Sequence, residues 1–352
     1  MDGPMRFEYY NEGLAGVPKL SVDGTVGNAI HLSHWQGNET PARLRADTST
    51  EIALNFVAAP DRDEIARGVE VVTNNHFDTD GVLSVWTVLA GVRALALKEQ
   101  LVAAAEAGDF SEFTGAQGVR ASITIQGGDS PVAEGVASPL ARQLAGGAGV
   151  DEGRAYSLVL PEVERVLTRT DDYEPLWRDE WARIERALES FARGRSRVAE
   201  DVGSGLSVVT LDPEIYGASG FKPTRHAAPY TAVAHNARGR VFLICTPLGE
   251  GWSYRVDYPY YSWAMTVVRP AVARVNFDGL VERLNGLESG GSGRWRTDGS
   301  ELTSAVKFLD ARGTPAASRL EPDAVAAELR AALPRQQADA RSAAQAPARA
   351  EV

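Results

Sequence analysis

Two short apolar runs, at 17–22 and 28–33, flank the turn pair Asp23-Gly24 and read as strands. Thr48 with Glu51 forms a capping box ahead of the apolar periodicity Ile52, Leu54, Phe56 and Val57, so a helix follows the second strand. The pattern then repeats. A β-branched run at 69–73 leads into the polar stretch Asn74–Gly81 and an apolar run that starts at Val82. That run is apolar on nearly every helical face and predicts a buried helix reaching Gly108. Strand, turn, helix, twice over, is the alternation of a mainly parallel α/β sheet flanked by helices. With the strands before His34 and before His76 parallel and adjacent, both turns fall at the carboxyl edge, where such sheets bind ligands.

Downstream, residues 115–153 are rich in Gly, Ala, Ser and Pro and read as a strand at 121–125 followed by a connection that would serve as a lid. Trp177, Trp181, Ile184, Leu188 and Phe191 recur at helical spacing and predict a helix over 174–193 that closes the first domain. Strands are expected at 206–211, 227–234, 241–246, 253–258, 265–268 and 302–309, with helices at 278–284 and 321–333. The expected organisation is an α/β domain over 1–200, a smaller α+β domain over 205–333, and a disordered Gln/Ala/Arg-rich tail over 334–352.

Composition narrows the function. The 352 residues carry a formal net charge of −11, which disfavours binding of duplex nucleic acid through a basic surface. The single cysteine, Cys245, sits inside an apolar run and reads as a buried thiol. The N-terminus has no basic segment followed by an apolar one, and the apolar run 82–97 is interrupted by Arg93 and short for a membrane span. A cytoplasmic protein without a membrane partner is expected.

The chemistry concentrates at His76, Asp78 and Asp80. Alternating positions on an extended segment project to one side, and an imidazole with two carboxylates in one place calls for a cation between them. The competing structural explanation is a solvated turn whose aspartates cap the next helix. An EF-hand loop fails, because His76 and Thr87 would stand where an Asp and a bidentate Glu are needed.

His76-x-Asp78-x-Asp80-Gly81-x-x-Ser84 resembles the first motif of the DHH phosphoesterase superfamily. Together with Ser33-His34-Trp35-x-Gly37-Asn38 and Ala46-Asp47-Thr48-Ser49-Thr50-Glu51, it also resembles an uncharacterised bacterial family of unknown function. The DHH resemblance implies a DHH-like first domain and metal-dependent hydrolysis of a phosphoester or phosphoanhydride. The substrate would be a small phosphorylated molecule or a short oligonucleotide, with Mn²⁺ or Mg²⁺ as cofactor. Asp78 and Asp80 are then the catalytic carboxylates, and His76, Asp78 and Asp80 the metal ligands, with His34 and Asp109 as further candidates. The chain has no Asp-His-His triplet, so either other residues complete the ligand set or catalysis has been lost.

In that superfamily a glycine-rich loop of the second domain holds substrate phosphate. Gly290, Gly291, Arg294, Trp295 and Arg296 stand at a comparable place here, where guanidinium forks would clamp phosphate and the indole would stack. Asn75 and Ser84 are further candidate substrate contacts. Two alternatives remain open. One is a non-catalytic ligand-binding or regulatory protein on the same fold. The other is a haloacid-dehalogenase-type phosphatase with Asp78 as nucleophile, whose motif Phe77-Asp78-Thr79-Asp80-Gly81 resembles.

Overall fold

The computed structural model describes residues 5–127, 138–146, 151–217, 222, 226–289, 293–298 and 303–334. It divides into two units. The first comprises 1–196 and two later excursions of the chain, 227–236 and 259–273; the second comprises 197–226, 237–258 and 274–352.

The first unit is built on a four-stranded sheet with strands β1 (Arg6–Phe7), β2 (Lys19–Val22), β3 (Ile30–Leu32) and β4 (Val71–Thr73), all parallel, in the order β1-β4-β2-β3. The strands before His34 and His76 are therefore parallel but not adjacent, because β2 lies between them. Its register pairs Val22 with Leu32 and Ser21 with Thr73, so the three strands end within one residue of one another. The residue that leaves β2 at that edge is Asp23, held at φ 49°, in the left-handed region that few non-glycine residues occupy.

Helices α1 (Ser49–Ala58), α2 (Arg62–Ile65), α3 (Thr79–Ala90) and α4 (Lys98–Phe110) follow, then α5 (Ala116–Gln126), α6 (Pro139–Leu144), α7 (Glu152–Val159), α8 (Val163–Thr168) and α9 (Glu174–Ala192). The expected capping box is present: Thr48 caps α1, and Glu51 returns its carboxylate to the Thr48 N–H at 3.2 Å. Helix α3 is buried on every face from Thr79 to Val88. The stretch Thr79–Phe110 is long and apolar enough to cross a membrane by length and composition. It is not one helix, because the 3₁₀ segment Gly91–Leu97 separates α3 from α4, and 56% of its most apolar window is buried inside the protein.

Three expected strands are otherwise. Residues 121–125 belong to α5, where burial against α4 and α9 overrides the strand preference of Ile123, Thr124 and Ile125. The run 227–234 leads into the helix Tyr230–Asn236, whose Ala232 and Val233 N–H groups donate to the Pro229 carbonyl. Residues 265–268 form no strand; the Met265 N–H goes to the His34 carbonyl and those of Val267 and Val268 to the Asp47 carboxylate. The lid reading over 128–137 and 147–150 and the tail over 335–352 lie outside the described residues.

The second unit is a six-stranded mixed sheet in the order β5-β6-β7-β8-β10-β9: β5 (Arg197–Asp201), β6 (Leu206–Thr210), β7 (Val241–Leu248), β8 (Gly251–Asp257), β9 (Arg294–Thr297) and β10 (Ser304–Leu309). Only β6 and β7 pair in parallel. The helices Asp278–Leu287 and Pro322–Ala332 pack together in this unit. Cys245 is buried in β7, and that burial pushes its thiol far above the usual range, so it is inert packing.

Candidate metal centre

The first unit gathers four carboxylates and two imidazoles at the carboxyl edge of its sheet. Asp23, His34, Asp80 and Asp109 each offer a ligand atom within 4.8 Å of the others, and so do Asp23, His76 and Asp78. Asp23 belongs to both sets. Its Oδ1 lies 3.3 Å from His34 Nε2 and its Oδ2 lies 3.1 Å from His76 Nε2, so one carboxylate faces two imidazoles with one oxygen each.

Each ligand is delivered by a specific local structure. Asp78 is the N-cap of α3: its Oδ1 accepts the Gly81 N–H at 2.7 Å, which leaves Oδ2 at 3.0 Å from His76 Nε2. Asp80 does not alternate with His76 and Asp78 on an extended segment but lies in the first turn of α3, which turns it toward His34 and Asp109; it accepts the N–H groups of Ser49 and Thr50 at 2.7 and 2.8 Å, so it also closes the N-terminus of α1. Gly81 is needed there, because a Cβ would sit 2.6 Å from both Asn74 Nδ2 and the Tyr156 hydroxyl. Asp109 is in the last turn of α4, not in a loop after it. Gly108 beside it lets α4 approach α3, since a Cβ there would be 2.6 Å from Thr79 Cβ.

The outer shell orients the rings. His34 Nδ1 lies 2.7 Å from the Asp47 carbonyl, which selects the tautomer with Nδ1–H outward and the Nε2 lone pair toward the carboxylates. His76 Nδ1 lies 3.3 Å from Asn75 Oδ1, with the same consequence at lesser strength. Asp23 Oδ1 accepts from the Ser49 hydroxyl at 2.7 Å and the Trp35 indole N–H at 3.2 Å. The two ligand sets differ in exposure. His34, Asp23 and Asp80 are fully buried and Asp109 nearly so, whereas the side chains of His76 and Asp78 are 27% and 16% exposed.

Burial and charge act together on these groups. Burial and the neighbouring Asp23 push the Asp80 carboxyl up to about 7. Burial, Asp78 and Asp80 hold Asp109 well above the usual carboxylate range. Burial opposes the charged imidazole at both histidines, but Asp109 and Asp23 beside His34, and Asp78 and Asp23 beside His76, raise both. Burial likewise opposes ionisation of Asp23, yet its contacts with His34 and His76 keep it far below the usual range. The cluster therefore demands positive charge, which protons supply when nothing else does.

A cation answers that demand better, and two observations fit one. His34 Nε2 and Asp109 Oδ2 are buried and make no hydrogen bond, although they lie 3.2 Å apart. Such orphaned buried atoms, aimed at one another among further carboxylates, are what a coordinated ion satisfies. The donor set of carboxylate oxygens with a minority of imidazole nitrogens suits Mn²⁺, with Mg²⁺ second because it favours oxygen ligands alone.

Of the residues singled out from the sequence, His76, Asp78, Asp80, His34 and Asp109 are brought together; Asp23 joins them, having read only as a turn residue. The signal for it was present in the strand run ending one residue earlier, which puts Asp23 at the same edge. Ser84 is fully buried, and its hydroxyl is bound to the Gly81 carbonyl, so it offers a substrate nothing. Asn75 serves His76. Asp47 stands outside the cluster: its carboxylate accepts the N–H groups of Val267, Val268 and Arg269 and pairs with the Arg269 guanidinium at 2.8 Å.

Gly290 and Gly291 lie outside the described residues. Arg294, Trp295 and Arg296 lie on strand β9 of the second unit rather than in a loop, with both arginines exposed and the tryptophan buried between them. Trp295 is 1% exposed and lies between Tyr254 and Phe308, with ring centroids 5.2 and 5.4 Å away. Alternation along the strand turns its indole into the core, so no face is left for a ligand.

Fold and site together define an α/β protein with a buried carboxylate–imidazole cluster, a candidate metal centre, at the edge of a parallel sheet. Residues 5–344 match the family model described as Family of unknown function (DUF6687), and the chain belongs to that family. No curated protein and no solved structure matches it.

Proposed function

We propose that this chain is a hydrolase of phosphoester or phosphoanhydride bonds that works with two divalent ions. The observation that carries the reading is the double engagement of Asp23, which faces His34 with one oxygen and His76 with the other. His76, Asp78 and Asp23 would hold an outer ion, and Asp23, His34, Asp80 and Asp109 an inner one. Four carboxylates carry as much negative charge as two divalent ions carry positive, which leaves the histidines neutral, as ligands must be. Ions in these positions would supply Lewis acidity toward phosphoryl oxygens and lower the pKa of water.

The protein's own contribution is to keep the ligands rigid. Asp78 is fixed by the cap of α3, Asp80 by the N-terminus of α1, and His34 by a main-chain carbonyl. The partly exposed pair His76 and Asp78 is where a substrate phosphate would approach. The missing Asp-His-His triplet is answered in this reading by Asp23, His34 and Asp109, which come from three separate segments. A distant DHH-like ancestry for the first unit is consistent with that ligand chemistry, and Mn²⁺ is the favoured ion. A phospho-aspartate mechanism at Asp78 draws less support, because the residue caps a helix five positions past β4 and one of its oxygens is already taken.

The test is Mn²⁺ titration by calorimetry together with hydrolysis of bis(p-nitrophenyl) phosphate, p-nitrophenyl phosphate and pyrophosphate. Two bound ions and turnover that Asp23→Asn abolishes are expected. Two ions with no turnover on any phosphate compound would favour a binding protein on this fold. No metal binding would overturn the proposal.

A further inference from the structure

The two tryptophans beside the ligand cluster have a role that metal binding leaves unused. Trp35 lies edge-on to His76, with ring centroids 5.1 Å apart, and Trp263 lies edge-on to His34 at 4.9 Å. The indoles meet each other at 4.8 Å and 60°. Both are partly exposed, and neither belongs to the apolar core of the first unit. Trp263 also packs on Phe110, at 6.4 Å, and each indole keeps part of its surface open beside the cluster.

Both rings are also held in place. The Trp35 N–H lies 3.2 Å from Ser33 Oγ, its carbonyl accepts from Asn38 Nδ2 at 2.7 Å, and its indole N–H goes to Asp23. Trp263 sits on the excursion 259–273, which is pinned where the Met265 N–H donates to the His34 carbonyl at 2.7 Å and where Asp47 accepts from 267–269. The Gln36 side chain adds a hydrogen bond to the Trp263 carbonyl at 3.3 Å. A rigid aromatic surface gives stacking at low entropic cost.

We infer that Trp35 and Trp263 form a stacking platform for a planar heteroaromatic ring, so that the phosphorylated substrate is a nucleotide. This rests on the phosphoester reading above and narrows it. With the phosphate at the His76 and Asp78 side of the cluster, the rest of the substrate lies along the rim that Trp35 lines. An indole face binds any base, so the platform selects for the presence of a ring rather than for its sequence identity.

The experiment titrates the full chain, loaded with Mn²⁺, with AMP and with ribose 5-phosphate, which carry the same phosphate and sugar. AMP should bind about tenfold more tightly, within the range of base stacking on one aromatic side chain. AMP should also quench indole fluorescence where ribose 5-phosphate does not. Trp263→Leu should erase the preference by weakening AMP about tenfold, leaving ribose 5-phosphate affinity and Mn²⁺ stoichiometry unchanged, and Trp263→Phe should keep most of it. Equal affinity for the two ligands in the wild type, or equal weakening of both by Trp263→Leu, overturns the platform while the phosphate site stands. Failure of both ligands to bind overturns the phosphate reading and the platform with it. The fluorescence comparison needs no variant and decides the matter if Trp263→Leu does not fold.

Discussion

His34 and Asp47 meet through a ring nitrogen and a main-chain carbonyl 2.7 Å apart, and this contact serves two structures at once. On the inner side it sets the imidazole tautomer. On the outer side the Asp47 carboxylate gathers the N–H groups of 267–269 and the Arg269 guanidinium. One residue thus ties the carboxylate–imidazole cluster to the excursion that carries Trp263.

The two ligand sets should separate under mutation. Asp109→Asn should remove the inner ion and leave a weakened outer one, whereas Asp23→Asn should lose both, because each set contains Asp23. Metal content after gel filtration, with calorimetry, reads this directly. Two ions retained by Asp23→Asn would refute the bridging role.

Asp78 does two jobs that one substitution can divide. Asparagine caps helices as well as aspartate does, so Asp78→Asn should keep α3 capped through Gly81 and lower stability by less than about 1 kcal/mol without metal. It should still abolish binding of the outer ion. Asp78→Ala should lose both functions, at a further cost of about 1 kcal/mol in urea denaturation.

Acidity should reveal the charge deficit of the cluster. Asp80, near 7, and Asp109, also raised well above the usual carboxylate range, retain their protons in the folded protein where an unfolded chain has lost them. His34 and His76, also raised, retain theirs above the unfolded imidazole range. The folded state of all four binds more protons than the unfolded one, so metal-free stability should fall as pH rises from 6 to 9. Asp23, held low, acts oppositely, but only in acid. Melting temperatures in EDTA should therefore decline over that window. With Mn²⁺ in place of the protons the decline should vanish or reverse, because binding strengthens as protons leave.

Arg269 anchors the excursion through Asp47, Glu106 and Glu112, at 2.6 to 2.8 Å. Arg269→Ala strands three carboxylates in a largely buried place and should cost on the order of 3 kcal/mol. Glu112→Gln, at the more exposed end of the network, should cost far less. Thermal unfolding of the two variants compares them.

Trp295 provides the control in the second unit. Trp295→Ala empties a fully buried site between Tyr254 and Phe308 and should destabilise by about 3 to 5 kcal/mol. Mn²⁺ stoichiometry measured below its unfolding transition should not change. Loss of metal there would contradict the assignment of the cluster to the first unit alone.

Local chemistry along the chain determined much of this protein. The capping box of Thr48 and Glu51, the all-round apolar α3 and the apolar stripe of α9 are encoded within a few residues each, where periodicity and hydrogen-bond reach are short-range. Tertiary structure alone decided the rest. A β-branched run such as 121–125 has no fixed state until its neighbours bury it, and α5 is what burial against α4 and α9 makes of it. Trp295 after a glycine run reads as an exposed ligand stacker until strand pairing turns it inward. The strand order matters most. Only because β2 inserts between β3 and β4 does Asp23 arrive between His34 and His76, and no spacing in the sequence records which strands become neighbours. The ligand types were legible one by one; their meeting point is a property of the sheet.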